Sequence, residues 1–211
     1  MPLALQRTGL FLESVNIMLR HIQEDSYSTA LTFDEINPPP AGTSQDVREA
    51  YNILLNTSIT VQSEPHWWNT FTKTLTPDVN NKIALLSSTT LSVKTPTLSL
   101  KDGYLYDDVN DTDEFTEEQT IDLIMGVKFI DLAEQVRRYI TYRAAQLFQQ
   151  QRLGSGEYDK FIQKELERAT VDYNIYCTNY GGYNITKNPD VQDFANKIGM
   201  WHCRPIFNRR T

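Results

Sequence analysis

The spacing of hydrophobic positions along this chain changes twice, from helical to alternating near residue 66 and back again near residue 129. Leu12, Val15, Leu19 and Ile22 recur at steps of three and four and mark one face of a first helix. Asp34–Gly42 holds Pro38-Pro39-Pro40 and predicts an extended connector, because proline lacks the N–H that a helical ladder needs. Thr43 or Ser44 then caps a second helix over Ser44–Val61, with Asp46 three residues after Thr43 in the manner of a capping box. The stripe Val47, Ala50/Tyr51, Leu54, Ser58 and Val61 is its apolar face.

Between His66 and Val127 the chain reads as short strands, rich in Thr, Val, Leu and aromatics and broken by Pro77, Asn80-Asn81, Pro96 and Asp102-Gly103. Leu98–Lys101 and Tyr104–Tyr106 flank Asp102-Gly103, a two-residue hairpin signal, since both turn positions need positive φ. Ile121, Leu123, Met125, Val127 and Phe129 alternate and predict one further strand with a single buried face. After it, Leu132, Val136, Ile140, Ala144, Leu147 and Phe148 form a helical stripe. Gly154-Ser155-Gly156 breaks the period, and Tyr158, Ile162, Leu166, Ala169, Tyr173 and Tyr176 resume it. A short loop between two long amphipathic helices makes an antiparallel hairpin. Gly181-Gly182 then stops the last helix, because glycine enters the left-handed conformation of a helix end without penalty.

The expected fold class is α+β: an antiparallel bundle of about four helices with an inserted small antiparallel β-sheet and an extended C-terminal arm. The expected divisions are 1–65 and 128–184 for the two parts of the bundle, 66–127 for the sheet, and 185–211 for the arm.

Composition adds a charge asymmetry. The 211 residues are 40% hydrophobic and 11% aromatic, which suits a globular chain, and their net charge is −7. Residues 185–211 hold five basic side chains against two acidic ones, a net +3, which leaves −10 on residues 1–184. An acidic body does not bind phosphates tightly, although it lets DNA slide past. No apolar run approaches the ~20 residues of a membrane span, and the N-terminus lacks a secretory core, so the expectation is a soluble protein made in a cytoplasm with no membrane anchor.

Candidate chemistry is sparse. The cluster Asp107, Asp108, Asp111, Asp113, Glu114, Glu117 and Glu118 raises a calcium loop and a carboxylate pair for carbohydrate cleavage. It lacks the glycine and spaced glutamate of the first, and a hydrolase needs a carboxyl in an apolar pocket. A solvated loop is the favoured reading. His21, His66 and His202 are scattered and predict no metal site, and no phosphate loop or nucleophile elbow is present. The pattern therefore assigns no catalytic, cofactor or metal residue. Cys177 and Cys203 read as buried thiols rather than a disulfide framework. Trp67 and Trp68 predict one ring facing the core and one covering an interface, and Arg137, Arg138 and Arg143 predict pairing within their helix, Glu134 with Arg138 among them. The favoured binding element is the arm, where Trp201, Arg204, Phe207, Arg209 and Arg210 are residue types that anchor interfaces. Tyr180 and Tyr183 flank the glycine stop as neighbour contacts.

Taken in order, Ser14-Val15-Asn16 with Leu19, the Ala50–Gln62 helix, Trp67/Trp68 to Leu75-Thr76-Pro77-Asp78 and Gly103-Tyr104-Leu105-Tyr106-Asp107 form a recognisable series. Arg138-Tyr139-Ile140, Arg143-Ala144-Ala145, Phe148 and Tyr180-Gly181-Gly182-Tyr183-Asn184 complete it. The chain thereby resembles the tail tubular protein A group, the head-to-tail adaptor of T7-like short-tailed bacteriophages, over most of residues 12–184. This resemblance implies a homo-oligomer of twelve copies in a ring below the portal protein, with the nozzle (tail tubular protein B) and tail fibre attached. DNA would pass through without specific binding. It implies a place in the virion, at the tail or neck, after assembly in the host bacterial cytoplasm. The rival expectation is a tail-associated carbohydrate-degrading enzyme using residues 107–118.

Overall fold

The computed structural model describes residues 10–27, 33–85, 89–154 and 156–180, with backbone alone at 156–159 and 179–180. Among these, four helices, α1 (Leu10–His21), α2 (Gln45–Gln62), α3 (Glu134–Arg152) and α4 (Gly156–Tyr180), enclose one core. Between α2 and α3 run β1 (Thr70–Leu75), β2 (Thr90–Val93), β3 (Leu98–Lys101), β4 (Tyr104–Asp107) and β5 (Gln119–Met125). The fold is α+β, helices with small antiparallel sheets, as the periodicities predict.

α3 lies at the centre of the helical layer. Val136, Ile140, Ala144, Ala145 and Phe148 are buried along it, and the two alanines let neighbouring backbones approach closely. Leu147, expected in this stripe, is exposed. The buried positions of α3 run in a wide arc from Val136 through Ile140 and Ala144 round to Ala145 and Gln149, and Leu147 stands at one edge of that arc. α1 meets α3 where the Thr141 hydroxyl donates to Ser14 Oγ at 2.9 Å. α2 runs antiparallel to α3, because Arg152 in the last turn of α3 pairs with Asp46 and, at 2.9 Å, with Glu49 at the start of α2. That pairing also corrects the expected capping box. Ser44 is the cap, accepting from the Val47 N–H at 3.4 Å, which leaves Asp46 free of the cap and turned towards Arg152. α4 is antiparallel to α3 in turn, with Tyr173 stacked on Tyr139 at 4.5 Å.

The proline-rich connector is non-helical, as expected, but it bends at 35–37 and turns at 41–42 instead of running extended, because Asp34 N–H donates to the Asn37 carbonyl and Thr43 N–H to that of Pro40, each at 3.1 Å. Asp34 accepts from the Ile36 and Asn37 N–H groups at 2.8 Å each, and the Tyr51 hydroxyl donates to the Glu35 carbonyl at 3.3 Å. The Glu35 carboxylate accepts the N–H of Phe129. Phe129 is therefore not a strand residue but sits in a 3-10 turn, Phe129–Asp131, with its ring 5.3 Å from Phe11 in the helical core. Alternation continues past Met125 in parity only. Gln62 Oε1 captures the Val127 N–H at 2.6 Å, and Glu35 captures that of Phe129, so neither donor can join the sheet ladder.

β1, β5 and β2 form a three-stranded antiparallel sheet in that order, and β3 and β4 form a separate hairpin. Asp102 and Gly103 turn that hairpin with φ of 52° and 83°, the positive values foreseen for Asp-Gly. Ile121 and Leu123 of β5 point into a second core with Ile83, Leu85, Leu105 and Phe115.

Asn69 joins the two cores. It is fully buried, and its amide donates to the carbonyls of Gln62 at 2.6 Å and Glu64 at 3.0 Å while its oxygen accepts from the His66 N–H at 2.7 Å. Its own carbonyl accepts the Met125 N–H at 2.8 Å. Asn69→Ala strips three backbone groups of this partner, each worth about 1–3 kcal/mol when buried unpaired. Urea unfolding should show a loss of about 3 kcal/mol, and a change below about 0.5 kcal/mol would contradict the assignment.

Candidate functional site

Trp201, Arg204, Phe207, Arg209, Arg210 and Tyr183 lie outside the described residues, together with Gly181-Gly182 and Cys203. Of Tyr180, the last residue of α4, the backbone alone is described. What is described is the ground from which residues 181–211 depart, the C-terminal turns of α4 and the segment His66–Trp68 against them.

That ground is an aromatic cluster. Tyr173 is buried, stacks on Tyr139, and shares a 2.9 Å hydrogen bond with His66 Nε2. His66 stacks in turn on Trp68 with centroids 5.1 Å apart and planes 9° from parallel. Trp68 faces the helical core, as expected for one of the two tryptophans. Trp67 is 42% exposed and leans on Tyr176 at 5.4 Å. The Cys177 thiol lies half-buried beside Tyr173 and Trp68, and burial pushes its pKa up, which suits an inert thiol. Burial likewise lowers the His66 pKa and raises the Tyr173 phenol, so both stay neutral near pH 7. Two neutral rings sharing a hydrogen bond make a structural tie, one that neither segment's spacing reveals. The visible signal was the density of aromatics at 66–68 and at 173–180.

The arginines of α3 are engaged, though not as predicted. Glu134 pairs with Arg137 at 2.8 Å instead of Arg138, since Arg137 also donates to the carbonyls of Ile130 and Leu132 and is held at that end. Arg138 reaches across to Asp172 of α4 at 3.6 Å, and Arg143 donates to the Tyr139 hydroxyl at 2.9 Å. Three guanidinium groups with three separate partners do not converge on a phosphate.

Five of the seven carboxylates of residues 107–118 are likewise engaged by neighbouring groups. Asp107 accepts from the Val109 and Asn110 N–H groups at 2.9 and 3.0 Å, and the bonds from Asn110 hold its pKa below the usual carboxylate value. Asp111 accepts from the Tyr106 hydroxyl at 2.5 Å, a bond that pushes the phenol up to about 12. Asp113 pairs with Lys82 at 2.5 Å, Asp108 with Lys101 at 3.3 Å, and Glu118 accepts from Thr76 at 3.0 Å. A glycoside hydrolase needs one carboxyl held protonated in an apolar pocket facing a second. Glu35 is a carboxyl that burial raises, but it is spent on the Phe129 N–H inside the fold. Among the described residues no group of three His, Cys, Asp or Glu side chains is arranged to hold a metal ion, and no helix is long and apolar enough to cross a membrane.

A family model described as tail tubular protein matches residues 12–183, the greater part of the chain. No curated protein matches it.

Two half-buried histidines set a pH dependence. Burial lowers the folded-state pKa of His66 and His21 below 6.5, so the unfolded chain takes up protons first as pH falls through that value. Stability should therefore decline from about pH 6.5 downward. Glu35, raised by burial, works in the opposite sense and is unchanged by substitution at His66. Urea midpoints at pH 7.5 and 5.5 should differ less for His66→Gln than for the unsubstituted protein. Equal differences would place His66 outside the titration.

Proposed function

The chain belongs to the tail tubular protein family, structural components of bacteriophage tails, and from that premise we propose that it is the adaptor ring of a short-tailed phage. Twelve copies stand in a ring in the neck of the virion, with the portal protein on one side and the nozzle (tail tubular protein B) on the other. The tail fibre attaches to the same assembly, which forms in the host bacterial cytoplasm. The ring's lumen is part of the conduit for genome ejection. The match over residues 12–183 carries this reading.

The physical arrangement supports it. Residues 1–184 carry a net −10, so DNA moving past meets repulsion and no sticking points. Residues 185–211 are basic and include Phe194, Trp201 and Phe207, and 27 residues at roughly 3.3 Å each are enough chain to reach a partner tens of ångströms away. Trp201, Arg204, Phe207, Arg209 and Arg210 anchor that contact, with Tyr180 and Tyr183 at its root. No enzymatic step is proposed, since Asp107, Asp111 and Asp113 of the acidic segment are engaged by Asn110, Tyr106 and Lys82.

Purified full-length protein mixed with the portal protein of the same phage should form rings seated on the portal, seen by electron microscopy. Ending the chain at Asn184 should leave the rings able to form and abolish at least nine-tenths of portal attachment. Full attachment by the shortened chain would sink the role given to the arm. The unsubstituted protein should also release no reducing sugar from host polysaccharide. Cleavage that Asp107→Asn, Asp108→Asn, Asp111→Asn and Asp113→Asn together abolish would establish the carbohydrate-degrading alternative.

A further inference from the structure

α3 carries four arginines, Arg137, Arg138, Arg143 and Arg152, and all are half-buried. Taking a guanidinium part of the way out of water costs free energy that a carboxylate partner offsets. Arg137 has Glu134, Arg138 has Asp172, and Arg152 has Asp46 and Glu49. Arg143 is the exception. Among the described residues its side chain meets only Tyr139, donating to the hydroxyl at 2.9 Å with the guanidinium carbon 5.9 Å from the ring centre. Tyr139 is itself fixed by stacking on Tyr173. A neutral partner thus holds Arg143 in place, and its remaining N–H donors are left without a carboxylate.

Arg143 lines a groove of about 200 Å³ between α2 and α3. Asn56, Thr57, Thr60 and Gln151 supply neutral polar walls, while Ile53 and Leu147, the latter 41% exposed, supply apolar ones. The space falls below the ~300 Å³ at which sites for whole small molecules begin, and it suits one side chain. A guanidinium beside aliphatic walls asks for a carboxylate on a short hydrocarbon stem, which is an aspartate or glutamate side chain.

The charge distribution says which molecule presents it. The chain holds 27 acidic side chains against 20 basic ones, so two copies repel wherever their acids face each other. Residues 50–63 and 139–151, which supply the two walls, hold a single charged side chain between them, Arg143. The acids nearest along α2, Asp46 and Glu49, are both held by Arg152. Here an acidic copy can approach without setting its carboxylates against others. A surface depleted of charge except for arginine, with apolar side chains around it, is also the composition of an interface centre. A groove on one copy that takes a carboxylate from elsewhere on the next joins unlike faces, the kind of contact that closes into a ring.

We infer that the α2–α3 groove at Arg143 receives an acidic side chain of a second copy of this chain. This rests on the ring reading above and names the site through which neighbours are joined.

Light scattering and electron microscopy of the full-length protein test this, with circular dichroism melts to report the fold. Arg143→Glu should raise the concentration needed for ring assembly at least tenfold. Asn56→Glu, at an exposed position on the groove wall, offers Arg143 a carboxylate from its own copy. It should weaken assembly to a similar degree while the melting temperature stays the same or rises. Val79→Glu adds the same charge at a side chain 98% exposed in the segment after β1, and should leave assembly unchanged. Unchanged assembly in either groove variant would overturn the inference and keep the ring. Disruption by Val79→Glu to the same degree would also overturn it. Loss of portal attachment or of duplex DNA binding in Arg143→Glu, with rings intact, would give the groove to another partner and overturn it too. A monomeric unsubstituted protein would overturn the ring reading and this inference together.

Discussion

α3 has to be buried on three sides at once, and the arrangement of everything else follows from that requirement. α1, α2 and α4 each pack on it, and Ala144, Ala145 and Phe148 alternate small and large so that three helices fit around one. Its ends are held by charge and hydrogen bonds, with Arg152 on the acids of α2 and Arg137 on the carbonyls of the preceding turn. Because α3 takes a single seam of α4, most of α4 is left facing outward. A 25-residue helix with one packed seam makes a poor core element and a good contact surface. The way the helical core closes therefore determines which face of α4 stays exposed.

The strands add a second, smaller core, and the two are tied by polar groups. Asn69 and Gln62 each use a buried amide to engage backbone of the other unit, and His66 and Tyr173 close the same junction from the α4 side. Buried amides with every partner in place fix orientation more sharply than apolar contact does. The strand region and α4 are thereby held at a fixed angle to each other. Part of the surplus acidic charge lies in turns whose carboxylates are hydrogen-bonded, Asp107 and Asp111 among them.

Much of this fold was legible because its elements are strongly periodic. The faces of α1, α2, α3 and α4 follow from three- and four-residue steps, and Asp102-Gly103 marks its hairpin through a backbone requirement that few residues meet. Errors arose where side chains from distant segments overrode the local pattern. Phe129 keeps strand parity yet belongs to the helical core, because Glu35, 94 positions earlier, takes its N–H. Asp46 looks like a cap and is an ion-pair partner of Arg152. Arg138 looks like a partner for Glu134 and pairs with α4. The aromatic cluster was visible as two separate enrichments, while the contact between His66 and Tyr173 spans 107 positions and has no local signature.

An image of the assembled particle tests most directly the proposal that copies of this chain form a ring between head and tail. A reconstruction of the neck of the intact virion should accommodate residues 10–180 as twelve copies around the axis, between portal and nozzle. Finding the chain elsewhere in the particle, or in the neck as isolated copies that do not touch, would contradict the account.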